Sequence, residues 1–122
     1  MIQSPILVVD DDESILATLE EFLHMEGYAV ETAANGAEAL GTLERTEPSL
    51  VLLDMRMPVL DGWGFVHALR ERGRRLPILV MTAAQDARQW AEEVGAVGYL
   101  AKPFDLLDVL SAVERLSGHG GA

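Results

Sequence analysis

A chain of 122 residues, 49% of them hydrophobic, falls within the usual size of one domain and can bury a sizeable core. Its formal net charge of -11 repels nucleic acid and anionic membrane surfaces, so we expect neither direct nucleic-acid binding nor membrane association. The absence of cysteine excludes disulfide bonds and thiol catalysis. Because no signal peptide or membrane-length apolar run is present, the default expectation is a cytoplasmic protein.

The first part of the chain alternates apolar runs with segments of helical period, the pattern of βαβ units in a parallel sheet. Residues 6–9 predict the first strand, and the helix that follows ends near Gly27. The apolar face of this helix comprises Ile15, Leu19, Phe22 and Leu23. Residues 29–32 predict a weak second strand suited to a sheet edge, and a short helix from about 37 to 45 ends before Pro48.

The middle of the chain predicts a buried strand at 50–53, a loop over 55–62 and a third helix closed by Gly73. This helix is marked by Phe65, Val66 and Leu69. Its end carries the only concentration of positive charge, which we interpret as a solvated helix end. The residues concerned are Arg70, Arg72, Arg74 and Arg75.

Two further strands, at 78–81 and 97–101, are separated by a short fourth helix at about 86–94. The last helix begins after Asp105, which we expect to cap it, and carries a continuous apolar stripe. That stripe consists of Leu106, Val109, Leu110, Val113 and Leu116.

Polar residues that can handle a phosphoryl group or its metal follow four of the five predicted strands. They are Asp10, Asp11 and Asp12 after the first strand, Asp54 after the third, Thr82 after the fourth and Lys102 after the fifth. In an open parallel sheet, ligands bind outside the carboxyl ends of the strands, so these residues should converge. The sequence therefore predicts one pocket that combines carboxylates with one hydroxyl and one ammonium group.

Each of these residues also has a simpler interpretation. Asp11 or Asp12 could cap the first helix, Asp54 could cap a loop, and Thr82 could be an ordinary strand residue. Carboxylates crowded together raise one another's pKa unless a cation compensates, and Mg2+ prefers such oxygen ligands. Lys102 is the only lysine among the nine Lys and Arg residues, which indicates either a site that needs a compact charge or chance.

Four motifs, in this order along the chain, resemble the receiver domain of bacterial two-component response regulators. They are Ile6 to Asp12, Leu53 to Pro58 with Asp61 and Gly62, Met81 to Ala83, and Gly98 to Phe104. The resemblance runs from the first strand through the last helix. It implies an α/β fold of the doubly wound (βα)5 flavodoxin-like type, a three-layer sandwich whose parallel five-stranded sheet has the order 2-1-3-4-5.

The resemblance also implies a role for each site residue. Asp54 would be the phosphoacceptor. Mg2+ would be held by Asp11, Asp54 and the backbone carbonyl of Arg56, with Asp10 acting through metal-bound water and Asp12 as an extra acid. Thr82 and Lys102 would contact phosphoryl oxygens, and the peptide bond between Lys102 and Pro103 would be cis. Tyr99 would report the state of Thr82 through its rotamer, unless it is an ordinary half-buried strand tyrosine.

The implied partner is a sensor histidine kinase or a phosphotransfer protein. We expect it to dock on the first helix beside the acid pocket, at Ser14, Ile15, Thr18 and Phe104. The side chains of Arg56 and Ala84 should control how long the phosphoryl group persists, and we expect slow loss. The segment from Thr82 to Tyr99 is about two residues shorter than is usual in the family, so the fourth helix should be shortened or displaced and the usual output face is in doubt.

We predict a phosphorylation-activated receiver that catalyses its own modification and has no separate substrate. An aspartate-nucleophile phosphatase would need a carboxylate two residues after its nucleophile, where Arg56 stands, and a nucleotide binder would need a phosphate-cradling loop after the first strand. A degenerate receiver acting only as an interaction module is the alternative. The domain is predicted over 1–117, with a flexible tail over 118–122. A homodimer stays open, as does the choice between a stand-alone regulator and a fragment of a larger protein.

Overall fold

The computed structural model describes residues 4–83 and 85–117, so the predicted tail at 118–122 lies outside the described residues. The strands are β1 Ile6–Val9, β2 Val30–Ala33, β3 Leu50–Asp54, β4 Ile78–Thr82 and β5 Gly98–Ala101. The helices are α1 Glu13–Met25, α2 Gly36–Thr42, α3 Gly62–Glu71, α4 Ala87–Glu93 and α5 Leu106–Leu116. All strand pairs are parallel and the sheet order is β2-β1-β3-β4-β5, which confirms the predicted doubly wound fold and order.

Alternating side chains of the central strands build two cores, one on each face of the sheet. On one face, Leu7, Leu53 and Val80 pack with residues of α2, α3 and α4. On the other, Val8 and Leu52 pack with residues of α1 and α5. Because both faces of β1 and β3 are covered, these strands are continuous apolar runs with no polar alternation. The result is a three-layer sandwich with the sheet in the middle.

The observed bounds differ from the predicted ones at several ends. The largest difference is in α2, which begins at Gly36 and ends at Thr42, although the sequence predicts helix to residue 45. After Thr42 the backbone tightens, since the amides of Glu44 and Arg45 donate to carbonyls three residues earlier. Leu43 is still buried in the core, but the polar residues 44–47 that follow offer no further apolar position, so nothing extends the helix.

The predicted position of Asp105 at the start of α5 is confirmed, but a capping hydrogen bond to its side chain is not. Asp105 occupies the N-cap position, but within the described part of the chain its side chain makes no capping hydrogen bond. Its backbone carbonyl accepts instead from the amides of Asp108 and Val109. The helix is stabilised by burial of its stripe, with Val109 and Val113 fully enclosed in the core.

Two predicted helix stops are confirmed by backbone geometry. Gly27 and Gly73 follow α1 and α3 with φ values of 96° and 69°, the left-handed region that glycine enters without steric cost. Val59, in the loop after β3, has a φ of 69° as well, although a β-branched residue is strained there. Its side chain is 81% exposed, so packing does not offset this strain.

Replacing Val59 with glycine should therefore raise the free energy of unfolding by about 1 kcal/mol, since relief of left-handed strain outweighs the added chain entropy. Urea denaturation measures the difference. The matched control is Val97→Gly, because Val97 is also an exposed valine, at 50%, but its φ is not positive. That variant should lose stability, and a loss of stability in both variants would contradict the strain at Val59.

Candidate metal-binding acid pocket

Strand register places the functional side chains at one edge of the sheet. Val9 pairs with Leu53, so Asp10 and Asp54 leave adjacent strands side by side. Thr82 ends β4 opposite Ala101, and the amide of Lys102 donates to the carbonyl of Thr82 at 2.8 Å. Polar residues at the carboxyl ends of β1, β3, β4 and β5 are thus brought together as the topology requires.

Three carboxylates form the floor and rim of this pocket. One oxygen from each of Asp10, Asp11 and Asp54 lies within 4.8 Å of the others, a spacing that can hold a metal ion. Asp10 is fully buried and Asp54 is 5% exposed, whereas Asp11 is open to solvent. The carboxylates of Asp10 and Asp54 are therefore shielded from solvent, whereas that of Asp11 is accessible to it.

Lys102 reaches into the cluster from the end of β5. Its Nζ lies 2.7 Å from Oδ2 of Asp10 and 3.6 Å from Oδ2 of Asp54. The other oxygen of Asp10, Oδ1, accepts from the amide of Asp12 at 2.9 Å. The single lysine of the chain therefore bridges the two buried carboxylates, as a compact ammonium group can.

One ammonium does not neutralise the pocket. Burial of Asp54, followed by the nearby carboxylate of Asp10, raises its pKa from 3.8 to about 6, although Lys102 and the backbone amide of Arg56 act in the opposite direction. A second cation would remove this imbalance, and all three acidic groups offer the hard oxygen ligands that Mg2+ takes. The residues present therefore fit a Mg2+ site.

Asp12, the third acid of the run, serves a different purpose. Its Oδ1 accepts from the amides of Ser14 and Ile15 at 2.9 and 3.3 Å, which makes it the N-cap of α1. The sequence left open whether Asp11 or Asp12 caps this helix. In the structure Asp12 does so, and Asp11 turns to the pocket.

The loop after Asp54 is held tightly against the strand end. The amide of Gly62 donates to the carbonyl of Met55 at 3.0 Å, and a Cβ added to Gly62 would lie 2.8 Å from Cα of Met55. Asp61 caps α3 by accepting from the amide of Gly64 at 2.9 Å. The Asp61-Gly62 pair in the motif therefore closes the loop that positions Asp54 and Arg56.

A pocket of about 370 Å3 opens beside the carboxylates. Its lining comprises Asp54, Arg56, Thr82, Ala83 and Lys102. Thr82 is 2% exposed, so only a group seated in this pocket could reach its hydroxyl. A phosphoryl group bonded to Asp54 would lie among these residues.

Other predicted site residues are placed as follows. The Lys102-Pro103 peptide bond is cis, as expected. Tyr99 lies on the edge strand β5 and is 46% exposed, so the alternative of an ordinary half-buried strand tyrosine stays open. The role of its rotamer stays a prediction. Ala84 lies outside the described residues.

The segment between Thr82 and Tyr99 contains α4, a helix of 7 residues, and its shortening relative to the family stays a prediction. The helix keeps its place over the sheet because Ala87, Trp90 and Ala91 are buried. It turns at Gly95, which has a φ of 67°.

The neighbour of Arg56 could not be predicted from the sequence. The guanidinium carbon of Arg56 lies 4.9 Å from the ring centroid of Trp90 in α4, a cation–π arrangement. Trp90 is only 8% exposed. A contact between residues 34 positions apart leaves no periodic signal in the chain.

A doubly wound parallel sheet with a carboxylate cluster, a hydroxyl and an ammonium group at its carboxyl edge defines a class of phosphoacceptor signalling domains. The chain belongs to the response regulator receiver domain family, whose model matches residues 6–114. No helix among the described residues has the length and apolar character needed to span a membrane.

Similar proteins agree with this assignment. The chain is 44% identical to the transcriptional regulatory protein PrrA of Mycobacterium leprae over 124 residues, covering 99% of this chain and 53% of PrrA. It therefore spans about half the length of that relative. The structure matches chemotaxis protein CheY4 of Vibrio cholerae with a TM-score of 0.84 and 35% identity, over 94% of this chain and 99% of the other. It also matches the receiver domain of the sensor histidine kinase PA1611 of Pseudomonas aeruginosa, which holds a magnesium ion in its active-site cleft, with a TM-score of 0.83 and 35% identity, over 96% and 99%.

Proposed function

We propose that the chain accepts a phosphoryl group on Asp54 from a sensor histidine kinase or a phosphotransfer protein and that this modification switches an interaction surface. The observation that carries the proposal is the position of Asp54. Its carboxylate is almost fully buried among two other acids and Lys102, yet it borders an open pocket. Family membership supports the same function.

The Mg2+ site belongs to this proposal. Asp11, Asp54 and the backbone carbonyl of Arg56 would bind the ion, with Asp10 acting through water. The ion would neutralise charge on the phosphoryl group during transfer. The carboxylate cluster supports the assignment, as does the magnesium ion in the cleft of the similar PA1611 receiver domain.

The residues of the chain supply the rest of the chemistry. A carboxylate oxygen of Asp54 attacks the phosphorus of a phosphohistidine, so a P–O bond forms while the P–N bond breaks and the imidazole leaves. Lys102 and Thr82 donate hydrogen bonds to the phosphoryl oxygens, whose negative charge spreads during transfer. The chain thereby catalyses its own modification and needs no separate substrate.

The test is labelling with acetyl phosphate and Mg2+, followed by mass spectrometry of the intact chain and of its peptides. We expect one added phosphoryl group at Asp54, absent in Asp54→Asn and absent when the metal is chelated. Asp86→Asn is the matched control, because Asp86 is exposed and makes no side-chain capping bond within the described residues. Labelling of the Asp54→Asn chain would overturn the assignment of Asp54, and a parent chain that is not labelled would favour a phosphorylation-independent interaction module.

The partner is proposed to dock on α1 and the segment after β5. Ile15, Pro103 and Phe104 line an apolar pocket of about 380 Å3 that also includes Lys102 of the acid site. Ser14 and Thr18 are exposed on the same helix as Ile15. A phosphohistidine seated beside Asp54 would bring its own protein over this surface, since transfer requires close approach.

The substitution Thr18→Glu should therefore slow transfer from the cognate kinase by about tenfold, since a charge at a docking surface repels or misplaces the partner. Labelling by acetyl phosphate, which needs no docking, should be unaffected. Ser111→Glu on α5 is a control, because Ser111 is also exposed. Equal losses with both phosphodonors would mean damage to the site and no support for docking.

The receiver domain is proposed to span residues 1–117 and to work in the cytoplasm. The longer relatives suggest that a domain beyond the receiver converts the signal into output, as in a transcriptional regulator such as PrrA.

A homodimer of the phosphorylated form is a further proposal, which sedimentation before and after labelling tests.

A further inference from the structure

The contact between Arg56 and Trp90 connects the acid pocket to α4. Arg56 lines the pocket together with Asp54, and its guanidinium carbon lies 4.9 Å from the centroid of the Trp90 ring. The side chain of Arg56 therefore lies next to both Asp54, the proposed phosphoacceptor, and helix α4. A guanidinium group at this distance from an indole face is held by cation–π attraction.

The indole of Trp90 is a fixed platform. It is only 8% exposed and meets the ring of Trp63 edge to face, with centroids 4.9 Å apart and an interplanar angle of 69°. Trp63 is itself anchored to α4, since its Nε1 donates to Oε1 of Glu93 at 3.0 Å. Gln89 donates to the other oxygen of Glu93 at 3.1 Å. The ring that receives Arg56 thus has little freedom to move.

The charge of the Arg56 guanidinium, by contrast, is not neutralised by an ion pair within the described residues. Among residues 4–83 and 85–117 the guanidinium has no carboxylate partner within ion-pair distance, whereas Lys102 is already paired with Asp10 and Asp54. A phosphoryl group on Asp54 would add negative charge to a pocket that already holds three acids. Arg56 is the remaining cation lining that pocket, and guanidinium groups bind phosphoryl oxygens through charge-assisted hydrogen bonds.

We propose that Trp90 is a positioning residue for Arg56. The indole ring of Trp90 and a phosphoryl group on Asp54 compete for the guanidinium group of Arg56. In the unphosphorylated chain the guanidinium rests on the indole. Phosphorylation draws it toward the phosphoryl oxygens, so α4 loses a contact and registers the state of Asp54. This inference rests on the proposed phosphorylation of Asp54, and the experiments below separate failure of one from failure of the other.

The first experiment follows Trp90 fluorescence in a Trp63→Phe background, which leaves one of the two tryptophans of the chain. Acetyl phosphate and Mg2+ should change the emission in proportion to the labelled fraction measured by mass spectrometry. In Arg56→Met, which keeps a long side chain without the charge, the change per labelled molecule should be lost. Arg88→Met is the matched control, since Arg88 is an exposed arginine of α4 itself, and it should behave as the parent.

The second experiment measures loss of the phosphoryl group after donor removal. In this hydrolysis water attacks phosphorus, the bond to the Asp54 oxygen breaks and inorganic phosphate leaves. A guanidinium over the phosphoryl group obstructs that water, so Arg56→Met should speed the loss. Removing the competing ring in Trp90→Leu should slow it about two- to fivefold, the population shift expected from one cation–π contact.

A double-mutant cycle distinguishes positioning from a structural role of Trp90. In the Arg56→Met background, Trp90→Leu should leave the rate of loss unchanged, because no guanidinium remains to be redistributed. Trp90→Phe keeps an aromatic ring in the buried site, so it should slow loss of the phosphoryl group less than Trp90→Leu does. It replaces Trp90→Leu in the cycle if the leucine variant does not fold.

The outcomes separate the two proposals. If Asp54 is not labelled in the parent, the proposed function fails and this inference fails with it. If Asp54 is labelled but the fluorescence change survives in Arg56→Met, the inference alone is overturned. The same conclusion follows if Trp90→Leu alters hydrolysis equally with and without Arg56.

Discussion

Replacing Asp54 with asparagine should raise the free energy of unfolding by about 2–3 kcal/mol at pH 7.5 in the presence of a chelator. The reason is that burial and the Asp10 carboxylate raise the pKa of Asp54 from 3.8 to about 6. Above that pH the folded chain carries an ionised group that the unfolded chain solvates better. Asparagine has nearly the same shape and no charge, so urea denaturation of the two proteins isolates this cost.

The pH dependence has a defined sign. Because the folded-state pKa lies above the unfolded value, the stability contribution of Asp54 is lost as pH rises from about 3.8 through about 6. The difference between parent and Asp54→Asn should therefore be largest above pH 6 and should disappear toward pH 3.8. Added Mg2+ should stabilise the parent more than the variant, since binding to the folded state adds to stability.

The control for this prediction is Asp86→Asn. Asp86 is an exposed acid whose side chain makes no capping bond within the described ranges, so its removal should change stability by less than about 0.5 kcal/mol. An Asp54→Asn chain no more stable than the parent at pH 7.5 would mean that the carboxylates already have adequate compensation. The inference of a cation site from charge imbalance would then be wrong.

Chain order was sufficient to predict where the site lies. Parallel strands expose their carboxyl ends at one edge, so an apolar run followed by Asp10, Asp54, Thr82 or Lys102 identifies both a strand and a member of the pocket. The strands that were easiest to predict, β1 and β3, are the most apolar runs of the chain. They are apolar because helices cover both of their faces. The weak run at β2 is an edge strand, as predicted.

Other features depend on tertiary contacts that a linear pattern does not encode. Asp105 has the residue type and position of a cap, yet burial of the α5 stripe stabilises the helix without a side-chain bond in the described structure. The left-handed backbone of Val59 follows from closure of the loop between Asp54 and α3. The stacking of Arg56 on Trp90 requires the β3–α3 loop and α4 to meet in space.

Replacing Lys102 with glutamine should lower the free energy of unfolding by about 3 kcal/mol at pH 7.5 without Mg2+, in the range found when one partner of a buried ion pair is removed. Asp10 is fully buried, and its Oδ2 accepts from the Nζ of Lys102 at 2.7 Å. Without the ammonium group, Asp10 keeps only the amide of Asp12 as a donor within the described residues. Two buried carboxylates would then face each other without a cation.

Two companion variants show whether charge is the cause. Lys102→Arg keeps the charge, so it should lose only about 1 kcal/mol, from the poorer fit of a planar guanidinium in the space of an ammonium. Lys102→Gln should cost less in the Asp54→Asn background than in the parent, because one of the two carboxylates is already gone. If the glutamine substitution costs the same in both backgrounds, Lys102 is not coupled to Asp54. In that case its electrostatic contribution comes from the ion pair with Asp10, and the bridge to Asp54 adds no stability.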